Sequence, residues 1–199
     1  MEETKSSIRP RNAIEQYTSS LTDGTEYYRV TVHSTFKQTG STNTDAVFRV
    51  DHAFPNHRAD LLNGKWYAFL EGFYSLGLPS QTAKSSLKLC LPDIIQNSHD
   101  YVMTAADRCQ IDDTLEVIPI PTVLRSGVAT VDILPLAFTQ HCTSSSVGRQ
   151  INPTSLMSGE LRVVLRNIDH STILVSDAGA DDMLSGEKWT ATIVFLHRK

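Results

Sequence analysis

The side chains with the greatest capacity for chemistry fall at a few places in the chain. His52 and His57 stand beside Asp51 and Asp60, and imidazole with carboxylate is a competent donor set for a transition metal. Their spacing follows no established metal motif, and the intervening Ala53, Phe54, Pro55 and Asn56 should turn, so a loop decorated with polar groups is expected rather than convergent ligands. Asp177, Asp181 and Asp182 make an acidic turn that would attract calcium. The alternating acidic positions and closing glutamate of an EF-hand loop are absent, and a solvated hairpin loop is expected. The adjacent His141 and Cys142 offer a base and a nucleophile, yet neighbours in an extended segment point to opposite faces and cannot pair directly. Ser80 and Lys84 miss the S-x-x-K spacing by one residue, and no G-x-S-x-G, Walker loop, H-E-x-x-H or dinucleotide fingerprint occurs. The sequence therefore assigns no catalytic residue, no cofactor-binding residue and no metal ligand, and the expectation is a protein that is not an enzyme and carries no cofactor.

Two further groups have binding potential. Trp66, Tyr67, Phe69, Phe73 and Tyr74 could stack sugars or bases, but at strand spacing beside Ala68 and Leu70 they read as core. Arg162 and Arg166 share one strand face, while Arg29, Arg49 and Arg125 fall on polar faces or loops. The planar guanidinium suits interfaces, and a solvated sheet face is the plain alternative.

The elements that must carry these groups are strands. Tyr28, Val30, Val32 and Phe36 recur with period two, as do Ala46, Phe48 and Val50 after a turn-rich stretch. Asn63 and Gly64 signal a tight turn that launches a strand apolar on both faces, from Trp66 to Phe73, expected at the centre of a sheet. Leu87, Leu89 and Leu91 alternate with Ser86, Lys88 and Cys90 until Pro92 closes the strand. Further strands are expected over 114–120, 127–134 and 172–176. The clearest alternation is in Leu161, Val163 and Leu165 and in Trp189, Ala191, Ile193 and Phe195. Residues 93–113 read as a long connection with one helical turn over 100–110, and 141–158 as an exposed loop. Residues 1–25 read as a polar arm or short helix, with Asn12 as its cap and Glu15 completing a capping box. The fold class is all-β: a single antiparallel β-sandwich over 26–199, with about eight strands whose unequal loops favour a jelly roll over a meander.

Composition narrows the partners. Serine and threonine supply about a fifth of the 199 residues and charged residues only 20%, which suits exposed strand faces. The net charge is −4 and no basic arm occurs, so direct binding of nucleic acid is not expected. Cys90, Cys109 and Cys142 are odd in number and contain no C-x-x-C, which favours reduced thiols over a disulfide framework or zinc motif. No apolar leader, membrane-spanning run or N-x-Ser/Thr sequon is found, so neither secretion nor membrane insertion is expected and synthesis belongs in a cytoplasm.

A polar arm, about eight strands, a long middle connection and a final pair containing Gly159 to Leu165 and Gly186 to Phe195 together resemble the small single jelly-roll capsid proteins, specifically the penton or minor capsid subunits of large icosahedral double-stranded DNA viruses. The resemblance implies a structural virion protein, made in the host cytoplasm, whose partners are its own copies in a homopentamer and the neighbouring capsid proteins. Contacts would then come from residues 1–25, 93–113 and 141–158. The competing readings are a glycan- or receptor-binding head using His52, His57, Tyr74 and Tyr101, and a cupin-like jelly-roll enzyme with ligands converging inside the barrel.

Overall fold

Period-two alternation builds strands in both sheets where the sequence places it at 26–33, 46–50, 161–165 and 189–195. The computed structural model describes residues 25–51, 53–54, 63–78, 86–95, 101–103, 109–119, 134–139, 148–168, 170 and 189–198. The strands are β1 (Thr25–His33), β2 (Asp45–Arg49), β3 (Lys65–Leu78), β4 (Ser86–Cys90), β5 (Tyr101–Met103), β6 (Cys109–Ile111), β7 (Thr114–Pro119), β8 (Leu134–Thr139), β9 (Arg149–Ile151), β10 (Glu160–Asn167) and β11 (Trp189–Arg198). Among the described residues the only helical segments are 3-10 turns at Ser34–Phe36 and Pro153–Ser158.

One sheet runs β1-β11-β3-β8, with β9 also pairing β3; the other runs β2-β10-β4-β7. All pairings are antiparallel, and the protein is an all-β antiparallel sandwich. The wiring is nested. β1 pairs β11, β2 pairs β10, β3 pairs β8 and β4 pairs β7, so the chain runs out through four strands and returns alongside them. On the way out β1 to β4 alternate between the two sheets, and on the way back β7, β8, β10 and β11 do the same, with the short β9 joining the sheet of β8.

The inward residues of both sheets form one buried cluster. Val30, Trp66, Phe73, Trp189, Ile193 and Phe195 come from the first sheet, and Phe48, Leu87, Leu89, Leu161, Val163 and Leu165 from the second. Each such large side chain contributes about 1.5–3 kcal/mol by leaving water, so this layer holds the two sheets together. The strand from Trp66 to Phe73 is central as expected, lying between β11 on one side and β8 and β9 on the other.

Several expectations are corrected. Phe36 does not continue the buried face of β1: the strand ends at His33, whose Nδ1 accepts the Thr35 N–H at 3.1 Å, and the 3-10 turn throws Phe36 outward to 79% exposure. The helical turn expected over 100–110 gives way at both ends to the paired strands β5 and β6. The stretch 141–158 is not an exposed loop over its second half. Residues 149–151 add β9 to β3, and Asn152, accepting the Thr154 N–H, caps a turn whose Leu156 joins the core. A strand the sequence did not suggest lies at Leu134–Thr139. The arm 1–24, the strand expected at 172–176 and residues 127–133 lie outside the described residues.

The Asn63 and Gly64 turn is held by close packing. Gly64 has φ +77° and a Cβ there would stand 2.3 Å from the Arg198 carbonyl oxygen. Beside it His197, fully buried, stacks on Trp66 at 4.3 Å and places Nε2 2.6 Å from the Asn63 carbonyl, which can only accept and so fixes the proton on Nε2. Gly64→Ala is expected to lower stability by about 2 kcal/mol, through strain at a positive φ and displacement of the β11 backbone. A shift of the urea midpoint at constant m-value is the measure; an unchanged midpoint would mean the turn relaxes freely.

Candidate functional site

The outer face of the β2-β10-β4-β7 sheet gathers the densest polar chemistry of the described residues. Leu87 and Leu89 point to the core, so Ser86, Lys88 and Cys90 face the opposite way, and all five residues of β4 are buried. Register sets their neighbours: Lys88 lies opposite Arg166, and Cys90 stands between Val164 and Thr114. A bulge between Leu89 and Cys90 shifts the β7 pairing by one residue, which brings the approach to β7, Asp112 and Asp113, against the end of β4. Beyond β10 a turn closes with the His170 N–H donating to the Asn167 carbonyl at 3.0 Å.

These three segments converge on Cys90, Asp113 and His170, all buried, with one donor atom from each lying within 4.8 Å of the others. Arg166 Nη2 is 3.1 Å from Asp113 Oδ2, and His170 Nε2 is 3.0 Å from Asp113 Oδ1. Although that second distance is short, the two atoms are not aligned as a hydrogen bond, and both count as buried atoms without a partner. Cys90 Sγ is 3.9 Å from the Thr114 hydroxyl. Arg149 from β9 braces the loop, donating to the Asp112 carbonyl at 2.8 Å.

Electrostatics fix the protonation states. Burial, with the Asp113 carboxylate next in weight, pushes the Cys90 thiol up to about 12. Burial, reinforced by the Arg166 cation, lowers the His170 imidazole below its ordinary value, with Asp113 opposing. Both shifts favour the uncharged forms, a thiol and a neutral imidazole. As placed, Cys90 is protonated and is not a thiolate nucleophile.

His170 also has φ +68°, the sole non-glycine residue in the left-handed region among those described. Such a conformation is uncommon outside glycine and persists where surroundings enforce it.

The same sheet face carries a second ion pair. Arg162 clamps Asp45 with Nε to Oδ1 at 2.8 Å and Nη2 to Oδ2 at 2.6 Å, the hydrogen bond and the charge both holding Asp45 below the ordinary carboxylate range against the effect of burial. With side chains 40% and 42% exposed, solvent screening limits this pair to about 1 kcal/mol of stability or less. Arg162 and Arg166 do share a face as expected, and both are engaged within the chain.

Of the residues singled out in the sequence for chemistry or binding, Arg166 stands in this site and the others that are described stand elsewhere. Asp51 is described, with its Oδ2 3.8 Å from Arg49; His52, His57, Asp60, Ser80, Lys84, Arg125, His141, Cys142, Asp177, Asp181 and Asp182 lie outside the described residues. Of the aromatic run, Trp66 and Phe73 are in the core as expected. Phe69 joins Val194 and Leu196 in a small cluster on the outer face of the first sheet, Tyr67 lies under Arg198 at 5.2 Å, and Tyr74 is 43% exposed. Arg29 pairs with Glu71. No spacing motif links Cys90, Asp113 and His170. Their only trace in the sequence is that Cys90 falls on the polar side of the Leu87, Leu89, Leu91 alternation, at a strand end.

A cleft of about 640 Å³ opens where the edge strands β1 and β2 face each other, lined by Val30, His33, Phe36, Phe48, Arg49 and Thr190 among others. No family model matches the chain, and no curated protein matches it in sequence.

Proposed function

We propose that the chain is a structural subunit, a single jelly-roll capsid protein that closes into a ring of five copies at a vertex of an icosahedral virion and contacts neighbouring capsid proteins. The observation that carries this reading is the nested pairing of first strand with last, second with next-to-last, and so inward. Such pairing is what a chain rolled into two Greek keys, the jelly roll of capsid and lectin domains, would give.

The surface chemistry supports assembly. In the small hairpin β5-β6, inserted between β4 and β7, Tyr101 pairs directly with Ile111, and both are exposed, at 64% and 44%. A large apolar pair standing in water on a short hairpin is a natural plug for a neighbour related by rotation. It falls in the 93–113 connection, one of the segments from which contacts are expected. The net charge of −4 suits packing against protein better than against a phosphate backbone.

Light scattering of the purified chain should give about 110 kDa, five times the 22.1 kDa chain. Changing Tyr101 and Ile111 together to aspartate should return it to monomer while leaving the far-UV circular dichroism unchanged, since neither side chain is in the core. A wild-type monomer at high micromolar concentration would overturn the proposal. The β1/β2 cleft would then favour the second reading, a ligand-binding head, because its volume is in the range of small-molecule sites, about 300–1,000 Å³.

A further inference from the structure

We infer that Cys90, Asp113 and His170 form a zinc site, with the Cys90 thiolate, Asp113 Oδ1 and an imidazole nitrogen of His170 as three ligands and a fourth position open to water. The inference stands apart from the shell-subunit reading and does not depend on assembly. Three independent features support it.

The first is geometry. One donor atom from each of three residues, drawn from the end of β4, the approach to β7 and the turn after β10, lies within 4.8 Å of the others. Tetrahedral zinc with bonds of about 2.0–2.3 Å sets its ligands about 3.3–3.8 Å apart, so small side-chain rotations close the set.

The second is unmet bonding. The His170 side chain is fully buried, and neither of its ring nitrogens has a hydrogen-bond partner; Asp113 Oδ1, facing it, has none either. Orphaned buried donors and acceptors are costly and rare. Their meeting at one point is what a cation between them would relieve. The left-handed backbone at His170, φ +68°, keeps the imidazole turned into the cluster.

The third is the surrounding shell. Arg166 holds Asp113 by Oδ2 and leaves Oδ1 free, and Arg149 fixes the backbone at Asp112; outer contacts of this kind orient a ligating carboxylate. Arg166 and Lys88 are cations on the same face, and because the Cys90 proton leaves as zinc enters, binding adds one unit of positive charge beside them rather than two. Sulfur, nitrogen and oxygen donors together select a borderline-soft ion over magnesium or calcium. On binding, the Cys90 proton passes to solvent, as thiol ligation requires.

The test uses the full chain stripped with a chelator. Titration with Zn²⁺ followed by dialysis and elemental analysis should retain one zinc per chain, and Co²⁺ in its place should give a thiolate-to-cobalt charge-transfer band in the near ultraviolet. Cys90→Ser should abolish the band and weaken zinc binding by about 100-fold or more, and Arg166→Gln should weaken it by about 10- to 100-fold while the band remains. Where Cys90→Ser fails to fold by circular dichroism, the Cys109→Ser/Cys142→Ser chain decides: its band must persist, because Cys90 is then the only thiol. No zinc retained after exposure to micromolar free metal, a band that survives in folded Cys90→Ser, or a band lost in the double variant each overturns the site.

Discussion

Trp189→Ala is expected to lower the unfolding free energy by about 4 kcal/mol, the upper part of the range for removing a large aromatic from a core. Trp189 is 1% exposed at the start of β11 and ties the two sheets together. Its ring lies edge-on to Phe48 of β2 at 5.8 Å and stacked on Phe73 of β3 at 6.0 Å. Its indole N–H donates to the Asn43 carbonyl at 2.6 Å, and its backbone N–H to the Ser34 hydroxyl at 3.0 Å. The alanine variant loses both ring contacts and the indole hydrogen bond to Asn43. Trp189→Phe keeps most of the packing and loses the indole hydrogen bond, so about 1–2 kcal/mol is expected from it. Urea unfolding followed by circular dichroism separates the two. A loss below 1 kcal/mol for the alanine variant would mean that the sheets are joined elsewhere.

The β-sandwich is legible in the sequence because one buried face leaves a period-two record. Ala46 and Phe48, Leu87 and Leu89, Leu161 to Leu165, and Trp189 to Phe195 all read correctly as inward, since most of the alternate positions carry polar side chains. The record fails where another constraint outweighs burial. β8 contains Pro135, which argues against a strand until its position is known: it lies at an edge, at the irregularity in the β3 register between Ser75 and Leu78, where a missing donor costs little. β9 has three residues, too few to show a period, and its anchor Ile151 is followed at once by the turn signals Asn152 and Pro153. Phe36 keeps the parity of β1, but the 3-10 turn breaks the strand that parity presumes.

The polar cluster was less legible for a related reason. Asp113 is 23 residues from Cys90 and His170 is 57 further on, and motif reading depends on ligands or catalytic groups that share one local element. Here the two-sheet wiring supplies the proximity: β10 lies between β2 and β4, and β4 between β10 and β7, so the ends of remote segments meet. The cue that the sequence did contain was β4 itself. Lys88 and Cys90 read as its solvent side, yet they are buried at 7% and 0% exposure, and a buried lysine implies nearby countercharge.

That countercharge makes Asp113 the most sensitive charged position described. In chelator, with no metal in play, Asp113→Ala is expected to cost about 3 kcal/mol, because it leaves Arg166 without its anion on a covered face. The Arg166 and Asp113 side chains are 22% and 9% exposed, which takes this pair out of the regime of the Arg29 and Glu71 pair, where the arginine is 63% exposed and removal should cost about 1 kcal/mol or less. Arg166→Met should also destabilise, by stranding the carboxylate against a neutral imidazole. Arg166→Met combined with Asp113→Leu should cost less than the sum of the single changes by about 1–3 kcal/mol, since replacing both partners removes the stranded charge along with the attraction. High salt should not rescue the single variants, because mobile ions screen exposed charges and reach covered ones poorly. Strict additivity across the cycle, or full rescue by salt, would mean that the two groups do not interact and that Asp113 serves only to shape the turn into β7.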